Sequence, residues 1–104
     1  MRTRRRPRYP LRSIKAAFAD ARRLNRTMSA TDGAEALGMD EQTVIDVIAG
    51  LTAEDFEKSM PSETDPSIWQ DVYKPLVAGI ELYVKFTLDA QGELLLISFK
   101  ENDA

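Results

Sequence analysis

The sequence predicts an α+β fold in which N-terminal helices pack on a curved antiparallel β-sheet, and three observations carry the prediction. Apolar residues recur at helical spacing up to about residue 51. β-Branched and aromatic residues dominate the segments after it, and those segments are separated by short turns, not by crossover helices. With 104 residues, the chain makes one domain with a single modest core.

Residues 1–10, MRTRRRPRYP, are an arginine run broken by Pro7 and Pro10. The run is too polar to pack and reads as a basic, flexible arm ahead of a single domain, 11–104. It has no apolar stretch and is not a secretory signal. An arginine-rich start before an amphipathic helix also resembles a mitochondrial transit peptide, but the fold needs the helix that follows. That helix is predicted over 11–24, with Leu11, Ile14, Phe18 and Ala21 forming its apolar stripe. Arg12, Lys15, Arg22 and Arg23 lie mostly off the stripe, which fits either a solvated face or one turned to RNA.

Residues 29–51 predict two short helices. Thr31 or Asp32 caps the first and Gly38 ends it; Asp40 caps the second and Gly50 closes it. The piece AEALGMDEQTVIDVIAGL imitates a DNA-binding helix-turn-helix. Between Thr27 and Glu57, however, there are eight acids and no positive residue, so phosphates would be repelled and Val44 to Ile48 read as core. Strands are predicted over 56–60, 68–73, 79–88 and 94–100. MPSETDPS is a proline-bounded loop, Lys74-Pro75 marks an edge or bulge, and Asp89-Ala90-Gln91-Gly92 is a hairpin loop with glycine in the left-handed position.

Composition narrows the chemistry. There is no histidine and no cysteine, so the commonest general base, the commonest zinc ligand and any disulfide framework are missing. An enzyme built from this chain works with lysine, tyrosine, carboxylates and amides; no metal or other cofactor is expected. No window approaches the roughly 18 apolar residues of a membrane span, and a soluble, cytoplasmic protein without a membrane partner is expected. The net charge of −3 hides a division: residues 1–26 hold ten Arg or Lys against one acid, and the remainder holds four lysines against sixteen acids. A basic first quarter on an acidic body suggests an anionic partner, nucleic acid above all.

KSM at 58–60, IWQDVY with a proline two residues on, Tyr83 with Lys85 two beyond it, and the terminal ISFK resemble the MqsR toxins, the motility quorum-sensing regulator group of the RelE-like messenger-RNA interferases. The resemblance covers roughly residues 11–101. It implies a RelE-like fold and the toxin of a type II toxin–antitoxin system, a sequence-selective endoribonuclease that cuts mRNA and arrests growth. Its partner would be a co-expressed antitoxin, a zinc-binding helix-turn-helix protein of the MqsA kind. The positions matching the family's proposed catalytic set are Lys58, Gln70, Tyr83 and Lys100. One departure is that Lys74-Pro75 is followed by Leu76, where the family pattern has a second basic residue; substrate affinity and base preference are in doubt there.

Cleavage of RNA by its own 2′-hydroxyl needs a base for that proton, donors on the phosphorane oxygens and an acid for the 5′-oxygen. Lys58 and Tyr83 are candidates for the proton steps, and repulsion between two lysines near one phosphate lowers one ammonium pKa while Lys100 stays cationic. Sequence does not assign which lysine is the base. Gln70 orients the phosphate or a base edge. Lys85 shares the strand face of Tyr83 by period 2 and is a phosphate contact. Lys74, Tyr73 and the arm arginines Arg2, Arg4, Arg5, Arg6 and Arg8 are further RNA-binding candidates, although Trp69 and Tyr73 also read as core or rim aromatics. Taken singly, Lys58 or Lys100 is an edge-strand lysine and Tyr83 a core aromatic. The alternative functions are a noncatalytic RNA-binding or regulatory module, or a degenerate toxin that only binds its antitoxin.

Overall fold

The computed structural model describes residues 2–103; Met1 and Ala104, the outer limits of the expected arm and domain, lie outside it. Among the described residues, three α-helices precede a five-stranded antiparallel sheet, the α+β arrangement expected. Helix α1 (Leu11–Ala17) is shorter than the predicted 11–24. The side chain of Asp20 accepts the backbone N–H of Arg22 and starts a separate 3₁₀ turn at Ala21–Arg23, the usual competition of a short acid with helix propagation. Helix α2 (Met28–Ala36) is capped by Thr27, not by Thr31 or Asp32, and Gly38 follows it at φ 71°. Helix α3 (Glu41–Ala49) starts on Asp40, whose carboxylate accepts from Thr43. Its residues Val44, Ile45, Val47 and Ile48 are all buried, so the helix imitating a DNA reader belongs to the core. Among the described residues, no helix is long and apolar enough to cross a membrane.

Strands β1 (Phe56–Pro61), β2 (Trp69–Tyr73) and β4 (Ile80–Leu88) lie side by side, and β5 (Leu94–Glu101) pairs with β4. Between β2 and β4 the chain makes a short strand not anticipated from sequence, β3 (Leu76–Val77), paired with Ile80 and Glu81. Its two-residue turn, Ala78-Gly79, has φ 51° and 81°, the double left-handed conformation that matches the twist of a tight hairpin. Tyr73, Leu82, Val84, Phe86, Leu96 and Phe99 meet Ile14, Phe18, Ala30 and the α3 residues in one core. Phe18 and Tyr73 pack on Phe86 at centroid distances of 5.4 and 6.0 Å. Helix α2 lies so close to β5 that a Cβ at Gly33 would come within 2.1 Å of the Phe99 carbonyl oxygen.

The stretch expected as a flexible arm is tied to the sheet from Arg4 to Tyr9. Arg4 and Ser59 exchange both backbone hydrogen bonds, at 2.6 and 2.8 Å, along β1. The buried carboxylate of Asp71 accepts the backbone N–H groups of Arg8 at 3.0 Å and Tyr9 at 2.9 Å, and the Tyr9 hydroxyl donates to the Trp69 carbonyl. The reason is Asp71 itself: a buried carboxylate needs donors, and the arm supplies two. The arginine side chains on this stretch remain exposed, so its hydrogen-bonded anchorage comes from its backbone and the buried Tyr9.

Candidate active site

Cross-strand partners share a face of the sheet, and the register sets Lys58, Val72, Lys85 and Ser98 in one row across β1, β2, β4 and β5. The next row on one side is Tyr83 opposite Lys100; on the other side Gln70 lies opposite Met60. This face is turned away from the helical core, because its residues alternate with Tyr73, Leu82, Val84 and Phe86. Two irregularities decide the assembly. The register shifts between Phe56 and Lys58, and again between Lys85 and Phe86. Without the first, Phe56 and Lys58 would share a face, since strand neighbours two apart do; with it, Phe56 packs on Tyr73 at 5.5 Å while Lys58 joins the open side.

Val72 is the floor, fully buried between the stems of Lys58 and Lys85. Two strand spacings separate those lysine backbones, about 10 Å, a gap in which a phosphate can be held from both sides. The ammonium groups of Lys85 and Lys100 lie 5.7 and 5.6 Å from the centre of the Tyr83 ring. Burial pushes the Tyr83 phenol up from its ordinary 10.0, which keeps it a protonated donor at neutral pH. Burial also lowers the ammonium pKa of Lys85. Lys100 and then Lys58 push it further down, while Glu63 works against them. A cavity of about 610 Å³ adjoins this row and is lined by Met60, Pro61, Glu63, Thr64, Gln70 and Lys85 among others. Beyond Met60 the sequence predicts a loop up to the next strand; the folding of this stretch over Gln70 is a tertiary fact without a local signal.

The structure thus brings together Lys58, Gln70, Tyr83, Lys85 and Lys100. The other candidates go elsewhere. Tyr73 is fully buried on the helical side, its pKa raised to about 12 by burial, and cannot touch RNA; the strand alternation that puts Val72 outward sends Tyr73 in. Lys74 stands beyond the end of β2, held by Glu57 at 3.5 Å. Arg2 and Arg4 lie over the Trp69 ring at 5.4 and 5.0 Å, and Arg5, Arg6 and Arg8 are exposed. Asp71, inside the W-Q-D-V-Y run and without a local signal of its role, is the anchor of the arm.

Two comparisons with known proteins show the family. The family model described as motility quorum-sensing regulator, toxin of MqsA, matches residues 6–101, five residues further toward the N-terminus than the resemblance suggested and so including Tyr9. The mRNA interferase toxin MqsR of Escherichia coli (strain K12) is 39% identical over 84 residues, covering 81% of this chain and 84% of that protein. The chain is therefore a member of the motility quorum-sensing regulator toxin family.

Proposed function

We infer that the protein is the toxin of a type II toxin–antitoxin pair and an endoribonuclease that cuts messenger RNA by attack of the 2′-hydroxyl on the adjoining phosphate. The observation that carries the reading is the convergence of three lysines, a phenol and an amide on one open sheet face, around a floor made by Val72. Lys58 and Lys100 supply positive charge to the phosphorane oxygens, and Gln70 fixes the nucleotide by amide hydrogen bonds. Tyr83 donates a proton to the departing 5′-oxygen. These groups do their work without a metal ion. The arm arginines add phosphate contacts along the strand that leads to the cluster, and they carry no base preference of their own.

The relative's name supports mRNA as the substrate, and the family description supports an antitoxin of the MqsA kind as partner. We take that antitoxin to be a zinc-binding, helix-turn-helix protein and the site of action to be the cytoplasm, where the transcripts are. The test is cleavage of a naked transcript by the purified protein, with and without EDTA. Fragments ending in a 2′,3′-cyclic phosphate, formed equally fast in chelator, are expected. Activity lost in EDTA and restored by magnesium or manganese would overturn the metal-independent mechanism. No cleavage at all would leave a protein that only binds RNA or its antitoxin.

A further inference from the structure

The general base must stand where the nucleoside meets the phosphate, because the 2′-hydroxyl is attached to the first and attacks the second. One lysine occupies that boundary. Lys85 lines the cavity that contains Gln70 and Met60, and on its other side it faces Tyr83 and Lys100. Neither Lys58 nor Lys100 lines that cavity. We propose that Lys85 is the general base of the cleavage, with the nucleotide 5′ to the cut seated in the cavity formed by the 60–66 segment and Gln70.

The proposal rests on the nuclease reading and adds to it. The neutral amine of Lys85 takes the 2′-hydroxyl proton as the 2′-oxygen forms its bond to phosphorus. The phosphorus–5′-oxygen bond then breaks, the electron pair leaves with the 5′-oxygen, and Tyr83 protonates it. The products are a 2′,3′-cyclic phosphate and a 5′-hydroxyl, and no oxidant, reductant or co-reactant is consumed. The charged and titratable groups that face Lys85 fit the role. Lys58 from β1, Lys100 from β5 and the burial on β4 all disfavour its ammonium, Glu63 from the β1–β2 loop is the opposing carboxylate, and Tyr83 stays a neutral phenol. A lysine used only as a phosphate contact needs its charge; a base needs to lose it.

Arginine keeps the charge but cannot surrender the proton, so Lys85→Arg separates the two roles. Expected is a fall in kcat of about 10² or more, with KM and melting temperature near the parental values. The chain has no cysteine, so Lys85→Cys creates the sole thiol, and its aminoethylation restores a primary amine slightly more acidic than lysine. Recovered cleavage, with the acid limb of the pH–rate profile moved to lower pH, would support the assignment. Parental protein cutting the same transcript is the control: if it does not cut, the nuclease reading falls and takes this assignment with it. If it cuts and Lys85→Arg cuts as fast, or the aminoethylated protein keeps the parental pH profile, Lys85 is a charge contact and only the present assignment is wrong.

Discussion

Tyr83 and Lys100 are direct cross-strand partners, and the Lys100 ammonium lies 5.6 Å from the centre of the Tyr83 ring. The ring orders the cation, and the hydroxyl is free for chemistry, so the two contributions can be separated. Tyr83→Phe keeps the ring and should lower kcat by about 10² with an unchanged melting temperature. Lys58→Ala and Lys100→Ala should each do the same, by loss of charge opposite the phosphorane. Gln70→Ala should act more on RNA binding than on kcat. Single-turnover cleavage beside equilibrium RNA binding checks all four.

Lys85 should be a residue that costs stability. Its folded-state pKa lies below the ordinary 10.5, so the folded protein holds this proton less well than the unfolded chain. The penalty is therefore complete below the folded pKa and disappears as pH rises to 10.5. Lys85→Met should melt a few degrees higher than the parent at neutral pH while losing cleavage. The gap in melting temperature should close toward pH 10.5. A Met variant less stable than the parent at pH 7 would show that the amine makes favourable contacts that outweigh its burial.

Asp71→Ala leaves two backbone N–H groups, those of Arg8 and Tyr9, without their acceptor. An orphaned donor costs about 1–3 kcal/mol, two are orphaned, and a domain of this size loses roughly 4–8 °C per kcal/mol, so a fall of at least about 10 °C is expected. Asp71→Asn keeps one carbonyl oxygen and should fall less. Deleting residues 2–9 should resemble Asp71→Ala in thermal melts, because it removes buried Tyr9 as well as the arginines.

The charge of the arm can be tested without touching its anchors. Arg5 and Arg6 are exposed, so Arg5→Gln with Arg6→Gln should leave melting unchanged. If both meet phosphate, the slope of log affinity against log salt should flatten by about 0.7 for each, the value for single-stranded nucleic acid. The pattern of cuts should stay the same. Unchanged slopes would assign these arginines to solvent.

Gly33→Ala should be costly from the far side of the sheet. A methyl group 2.1 Å from the Phe99 carbonyl forces α2 and β5 apart, and overpacking of this kind costs about 1–3 kcal/mol. The displacement falls next to Lys100. Loss of activity larger than the loss of folded protein, measured below the melting range, is the expected outcome.

The helices and the four long strands were legible because their signals are local: the 3 and 4 spacing in α1, Asp40 ahead of α3, the alternation of Tyr83 and Lys85. The shared face of Tyr83 and Lys85 was legible for the same reason. What joined Lys58 to them was not, since the register shift after Phe56 turns one lysine by half a strand period and no local pattern announces it. The recognisable motif supplied Lys58 where periodicity could not. The arm misled because arginine composition describes its side chains, whereas its place in the fold is set by backbone donors and by one acid 62 residues away.

That distance also sets an order of events. Arg4, Arg8 and Tyr9 leave a ribosome well before Ser59, Trp69 and Asp71, and each must wait for one of these before it has a partner. Contacts so far apart in sequence form late, after the loop between them has been closed by other structure. The segment made before its partners is thus among the last to settle, and until it does, the β1 edge at Ser59 and the carboxylate of Asp71 stand open. For a nascent toxin, this interval separates a formed sheet from a finished molecule.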